Sequence, residues 1–171
     1  MFRALMRHII SILLQNEAGA LARVAGMFSA RGYNIESLTV APTHDSTVSR
    51  LTLVTTGSDA VIEQIIKQSR KLVDIVEIAD LTSRDHLEYE LVMLKVSVMP
   101  ATARSVVECV RRHRGVILDE SEHTRTVQLT GTGAEVNAFL GEIGEVSRVL
   151  ELVRSGTAAL ERGEEILGSP I

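Results

Sequence analysis

Residues 7–32 read Arg7-His8-Ile9-Ile10-Ser11-Ile12-Leu13-Leu14-Gln15-Asn16-Glu17-Ala18-Gly19-Ala20-Leu21-Ala22-Arg23-Val24-Ala25-Gly26-Met27-Phe28-Ser29-Ala30-Arg31-Gly32, and the hydrophobic period changes part-way along. Arg7–Leu14 is an apolar run of strand length. From Ala20 to Arg31, residues Leu21, Val24, Ala25 and Phe28 fall at i, i+3, i+4 and i+7, one face of a helix. Gly32 stands just past that helix, where a C-terminal glycine belongs. Working outward, Ile35–Ala41 and Val48–Thr55 are rich in β-branched residues, and Pro42-Thr43-His44-Asp45-Ser46 between them reads as a hairpin loop. Asp59–Lys71 carries Val61, Ile62, Ile65 and Ile66 on a helical stripe that continues to Leu72, with Ser58 available as its N-cap. Val73–Leu81 closes as a strand. The order β-α-β-β-α-β is the ferredoxin-like split βαβ.

Residues 82–154 repeat the pattern. Glu90–Val98 is a strand, Pro100 marks a turn, and Thr102–Arg114 is a helix with Ala103, Val106, Val107 and Val110 on one face, ended by Gly115. Val116–Glu120 and Thr126–Thr130 read as strands, Ala134–Ile143 as a helix and Val146–Val153 as the last strand. The fold class is therefore α+β, two tandem ferredoxin-like βαββαβ domains, expected at residues 7–81 and 89–154 with a polar linker at 82–88. A tail over 155–171 shows a weak helical pattern (Leu160, Ile166, Leu167) and is expected to dock on a partner or stay mobile. Each unit buries a small core and leaves one sheet face and its edge strands open, which predicts a dimer or higher oligomer.

Composition narrows the function. The chain has 171 residues, 45% apolar, 23% charged and only 3% aromatic, with a formal charge of −4, so it is globular with an aliphatic core. Residues 1–81 balance 8 basic against 8 acidic groups, so the whole net charge lies in residues 82–171. Neither half suits a nucleic-acid or anionic-membrane coat. A single cysteine, Cys109, excludes a disulfide framework, and the five histidines show no paired-ligand spacing. The apolar run after Arg3 and Arg7 is shorter than a signal-peptide core and is followed at once by Gln15-Asn16-Glu17. No stretch approaches the ~20 residues needed to span a bilayer. A cytoplasmic protein is expected. Met1–Met6 reads as an extension that leaves either Met1 or Met6 as the start.

Candidate residues cluster in two stretches. In Leu14-Gln15-Asn16-Glu17-Ala18-Gly19-Ala20-Leu21, a loop of small residues opens a helix whose first N–H groups and dipole attract a carboxylate. Asn16 offers a donor and an acceptor, which suits an α-amino acid; alternatively Asn16 caps the helix and Gly19 serves the turn. In the second stretch, Asn34 is either a turn residue or a polar handle for a ligand. Three other features read as structural. Arg111-Arg112-His113-Arg114 complements a helix C-terminus, Gly131-Thr132-Gly133 is a turn, and Cys109 lies on an apolar helix face. There is no nucleophile–base pair and no metal-ligand set, which disfavours an autonomous enzyme.

Ser11–Leu21 and Arg31-Gly32-Tyr33-Asn34-Ile35-Glu36-Ser37-Leu38-Thr39-Val40-Ala41-Pro42-Thr43 strongly resemble the small regulatory subunit of acetohydroxyacid synthase (acetolactate synthase). The likeness continues in Ser49-Arg50-Leu51-Thr52, Gln64–Gln68, Arg114–Asp119, Thr126–Thr132 and Arg154-Ser155-Gly156. The resemblance implies an effector-binding ACT domain followed by a second ACT-like domain. It implies a non-catalytic chain of branched-chain amino acid biosynthesis that activates a catalytic large subunit and confers feedback inhibition by valine. Thiamine diphosphate, FAD and Mg would belong to that catalytic partner and none to this chain. Carried over by residue, the valine site would use Asn16, Ala18, Gly19, Ala20 and Leu21 of one chain with Asn34 and Ile35 of the other in a homodimer formed through the ACT domains. The competing expectation is a free-standing amino-acid-sensing ACT module that regulates another protein.

Overall fold

The computed structural model describes residues 6–30 and 32–168. Residues 1–5 of the expected N-terminal extension, Arg31 at the expected end of the first helix and residues 169–171 of the tail lie outside the described residues. The chain divides into two compact units: unit 1 is Met1–Leu87 with Thr157–Ile171, and unit 2 is Glu88–Gly156.

Unit 1 begins β1 (Met6–Gln15), α1 (Ala20–Ser29), β2 (Ile35–Pro42), β3 (Val48–Gly57), α2 (Asp59–Ser69) and β4 (Ile75–Asp80). Its antiparallel sheet has the order β2-β3-β1-β4, that of a ferredoxin-like domain. Alternation along β1 sends Ile10, Ile12 and Leu14 to the helix side, where they pack with Val24, Phe28, Leu51, Leu53, Ile62 and Ile65. Phe28, Ile10 and Ile12 are fully buried, each contributing about 1.5–3 kcal/mol of apolar transfer. Gly32, with φ 73, ends the α1 turn as the sequence predicts. Ser58 is the N-cap position of α2 but makes no side-chain cap bond.

Unit 2 contains all but the first two residues of β5 (His86–Ser97), with α3 (Ala103–Arg112), β6 (Val116–Glu120), β7 (Thr124–Gly131), α4 (Gly133–Val146) and β8 (Val149–Arg154), in the strand order β6-β7-β5-β8. Its core joins Val92, Leu94 and Val96 to Val106, Val110, Val136, Phe139 and Ile143. The Gly131-Thr132-Gly133 turn opens α4 with a capping box. Thr132 accepts from the Glu135 N–H, and the Glu135 carboxylate accepts from the Thr132 N–H. At the end of α3 the left-handed residue is Arg114, at φ 60, rather than the expected Gly115. Gly115 is needed for close approach instead, since a Cβ there would lie 3.2 Å from the Gln128 carbonyl oxygen.

The tail departs from expectation. After Gly156 the chain returns to unit 1 and forms β9 (Ala158–Glu161). Ala159 and Leu167 pack on Ile9, Val54, Ala79 and Leu81, the face of the unit 1 sheet that sequence reasoning left open. The Thr157 N–H donates to Ser37 Oγ at 2.8 Å, and the Gly168 N–H donates to Glu77 Oε2 at 2.7 Å. Arg84 pairs with Glu161 at 2.7 Å. The segment is not helical; between Ala159 and Leu167, which both reach the sheet, it turns at Gly163, φ 95. Among the described residues, no helix is long and apolar enough to cross a membrane.

Candidate functional site

The β1–α1 loop is built from its hydrogen bonds. The Gln15 N–H donates to the Asp74 carbonyl at 2.8 Å, and the Asn16 N–H donates to the Thr47 carbonyl at 2.7 Å. Nδ2 of Asn16 donates to the Ser46 carbonyl at 2.9 Å. Asn16 therefore ties the loop to the β2–β3 hairpin and does not cap α1. The N-cap is Gly19, at φ 87 and ψ −14, with no side-chain cap bond. Among the described residues, the N–H groups of Ala18, Gly19, Leu21 and Ala22 have no hydrogen-bond partner. Such a cluster of donors at the positive end of a helix is a natural carboxylate seat. Ala18 and Gly19 are exposed, Leu21 is half-buried and Ala20 is buried.

Two residues absent from the sequence reading frame this loop. Arg23 sits in the first turn of α1, where a cation opposes the helix dipole. It is held there by Asp74 through two bonds of 2.6 Å, Nε to Oδ2 and Nη2 to Oδ1. This bidentate pair lies beside Gly19, whose added Cβ would stand 3.0 Å from Arg23 Nη1. The Asp74 carboxylate is buried, and the hydrogen bonds from Arg23 hold its pKa below the ordinary aspartate value. The same bonds raise that of the Arg23 guanidinium. The clue in the sequence is the misplaced cation itself, which needs an acceptor, although nothing local points to Asp74.

Asn34 and Ile35 are elsewhere in the same chain. Asn34 is exposed and its carbonyl accepts from Thr55 Oγ1 at 2.7 Å, while Ile35 is half-buried against the core. Ile35 pairs with Thr55, which pairs with His8, whereas the Asn16 loop follows Gln15, which pairs with Val48. Seven residues of β1 separate the two ends, about 23 Å at the usual strand rise. One chain brings Asn16, Ala18, Gly19, Ala20 and Leu21 together but holds Asn34 and Ile35 at the opposite end of its sheet. β2 is an edge strand.

In unit 2, donor atoms of Cys109, His113 and Glu142 lie within 4.8 Å of one another. Glu142 already binds Arg112 and His113, the latter at 2.7 Å. The bond with His113 lowers its pKa, and burial pushes the Cys109 thiol up. A raised thiol disfavours the thiolate that a metal requires, so the trio fits a clasp between α3 and α4. Arg114 reaches Glu135 at 3.4 Å, which leaves much of the basic cluster already paired with carboxylates.

Two family models match the chain: an acetohydroxyacid synthase small-subunit-like ACT domain over residues 10–77, and the small subunit of acetolactate synthase over residues 89–163. The chain belongs to the acetolactate synthase small-subunit family. It is 46% identical over 162 residues to the acetolactate synthase isozyme 3 small subunit of Escherichia coli, covering 95% of this chain and 99% of that one. It is 44% identical over 160 residues to the acetolactate synthase small subunit of Haemophilus influenzae, covering 94% and 98%. The crystal structure of the acetolactate synthase small subunit from Thermotoga maritima superposes with a TM-score of 0.85 at 31% identity, covering 94% of this chain and 99% of that one. The tandem ferredoxin-like architecture is thus that of a known small subunit. As a regulatory small subunit, the chain implies a catalytic large-subunit partner. The ACT domain of this family contains the β1–α1 loop described above.

Proposed function

We propose that this small subunit senses valine at a site shared between two copies and passes the signal to the catalytic large subunit, which it also activates. The supporting observation is the set of unpaired N–H groups at the start of α1, with Asn34 and Ile35 held about 23 Å away along β1. In an antiparallel pairing of two β2 edges, the start of one β2 meets the end of the other. Asn34 and Ile35 of a second copy then come to the end of the sheet that carries Asn16 and the hairpin. The effector carboxylate sits on the N–H groups around Gly19, favoured by the α1 dipole. The Asn16 amide oxygen, left over once Nδ2 is engaged by Ser46, accepts from the ammonium. The isopropyl group lies against Leu21 and Ile35 of the second copy. In this reading the cofactors of the synthase, thiamine diphosphate, FAD and Mg, are bound by the catalytic chain in the cytoplasm.

Reconstitution tests the proposal. Adding the purified small subunit should raise acetolactate synthesis by the catalytic subunit and make it sensitive to valine, with the small subunit sedimenting as a dimer. A small subunit that sediments as a monomer at saturating valine, or that leaves the synthase insensitive to valine, overturns it.

A further inference from the structure

A cleft of about 520 Å³ lies between the returning C-terminal segment and the outer face of the unit 1 sheet. Its floor carries a serine inside the apolar run Ile9–Leu14 of β1. Ser11 is fully buried, beside Ala79 on β4, and its hydroxyl has no hydrogen-bond partner among the described residues. Arg50, half-buried, also lines the cleft. Its Nη2 donates to the Ala159 carbonyl at 3.3 Å and its Nε is buried without an acceptor. No carboxylate lies within 4.0 Å of it among the described residues, and desolvation lowers the pKa of its guanidinium with no charge to offset it. A buried hydroxyl without a partner, and a desolvated cation with one buried N–H unpaired and no counter-charge, are each unfavourable unless something binds them. Leu81, Leu160 and Leu167 give the cleft an aliphatic side.

We propose that this cleft is a second small-ligand site, distinct from the β1–α1 loop, which takes a short aliphatic monocarboxylate: carboxylate on Arg50 and Ser11, hydrocarbon against Leu81, Leu160 and Leu167. Charge sets the ligand class. Arg50, Arg70 and Arg84 face Glu77, Glu161 and Glu165 around the cleft, and Arg84 is already paired with Glu161. The lining therefore has no surplus positive charge for a multiply charged anion such as phosphate, whereas a single carboxylate needs only the guanidinium of Arg50. An occupant bridges Arg50 to the returning segment and holds residues 157–168 on the sheet.

Calorimetric titration of the full chain with isovalerate tests the site, with isovaleramide and inorganic phosphate as comparisons. Isovalerate should bind at millimolar concentration, while the uncharged amide and phosphate should not. Arg50→Gln should weaken binding about tenfold or more, as expected for loss of a charge-assisted contact, and Ser11→Ala should weaken it severalfold. Binding should persist in Gly19→Val, which alters the β1–α1 loop and leaves this cleft intact. Isovalerate should also slow amide hydrogen exchange over residues 157–168. No binding, phosphate binding as tight as isovalerate, or affinity unchanged in Arg50→Gln overturns the proposal. Should Arg50→Gln fail to fold, unchanged affinity in Ser11→Ala overturns it equally.

Discussion

Replacing Gly19 by valine perturbs the proposed effector loop most directly. Gly19 occupies φ 87, where an L side chain costs about 1–2 kcal/mol. A Cβ there would stand 3.0 Å from Arg23 Nη1, so the guanidinium must give way by a few tenths of an ångström while still holding Asp74. For a domain of this size, that cost lowers the unit 1 Tm by roughly 5–15 °C. The effector loses more. One or two charge-assisted hydrogen bonds at about 1.5–3 kcal/mol each amount to a loss of valine affinity from about tenfold to about 10⁴-fold. Gly19→Ala shares the strain and the Arg23 contact without the branched side chain, so it should match the Tm shift and retain more affinity. The assay is a valine titration of the reconstituted synthase, paired with scanning calorimetry of the small subunit. Valine half-inhibition should move at least tenfold higher while activation at saturating small subunit persists. A folded Gly19→Val chain that confers unchanged inhibition would refute the assignment of the loop.

The pair beside that loop gives a pH prediction. The folded-state pKa of Asp74 is depressed, so its contribution is present above the unfolded value and lost as pH falls through the folded one. Asp74→Asn should therefore destabilise unit 1 near neutrality, and the difference from wild type in urea melts should shrink below pH about 4. Thr132→Ala removes the α4 capping box and should cost unit 2 about 0.5–2 kcal/mol, read as a lower urea midpoint at unchanged slope. At Gly168 an added Cβ would lie 2.6 Å from Leu13 Cδ1, at φ 90. Gly168→Ala should accordingly loosen the C-terminal segment and speed its proteolysis without unfolding the sheet.

What the sequence made legible was local. β1 and α1 announce themselves through a shift from a continuous apolar run to a 3.6-residue stripe, and Ile10, Ile12, Val24 and Phe28 all fall in the core. Boundaries slipped where propensity outran context. Val73 reads as strand but is 88% exposed in the turn before β4, and Val146 ends α4 instead of opening β8. β9 left no trace because Ala158-Ala159 lacks β-branched residues and its partners lie far back in the chain. The loop from Asn16 to Leu21 could be picked out as a helix start. Arg23–Asp74 could not, since the two are 51 residues apart. The distance between Asn16 and Asn34 emerged only from strand register, which no local pattern encodes.

Thr157–Gly168 seals the sheet of unit 1 and is synthesised after the whole of unit 2. On the ribosome, the N-terminal strands therefore emerge with Ile9, Val54, Ala79 and Leu81 still uncovered. They can collapse onto α1 and α2 but cannot close their other face until translation has passed Leu167. The interval is a window for nascent chains to stick to one another through that face, and a chaperone could occupy it. A chain ended at Leu81 would keep the window open permanently, trading a monomer's uncovered sheet for aggregation or for whatever second sheet it meets first.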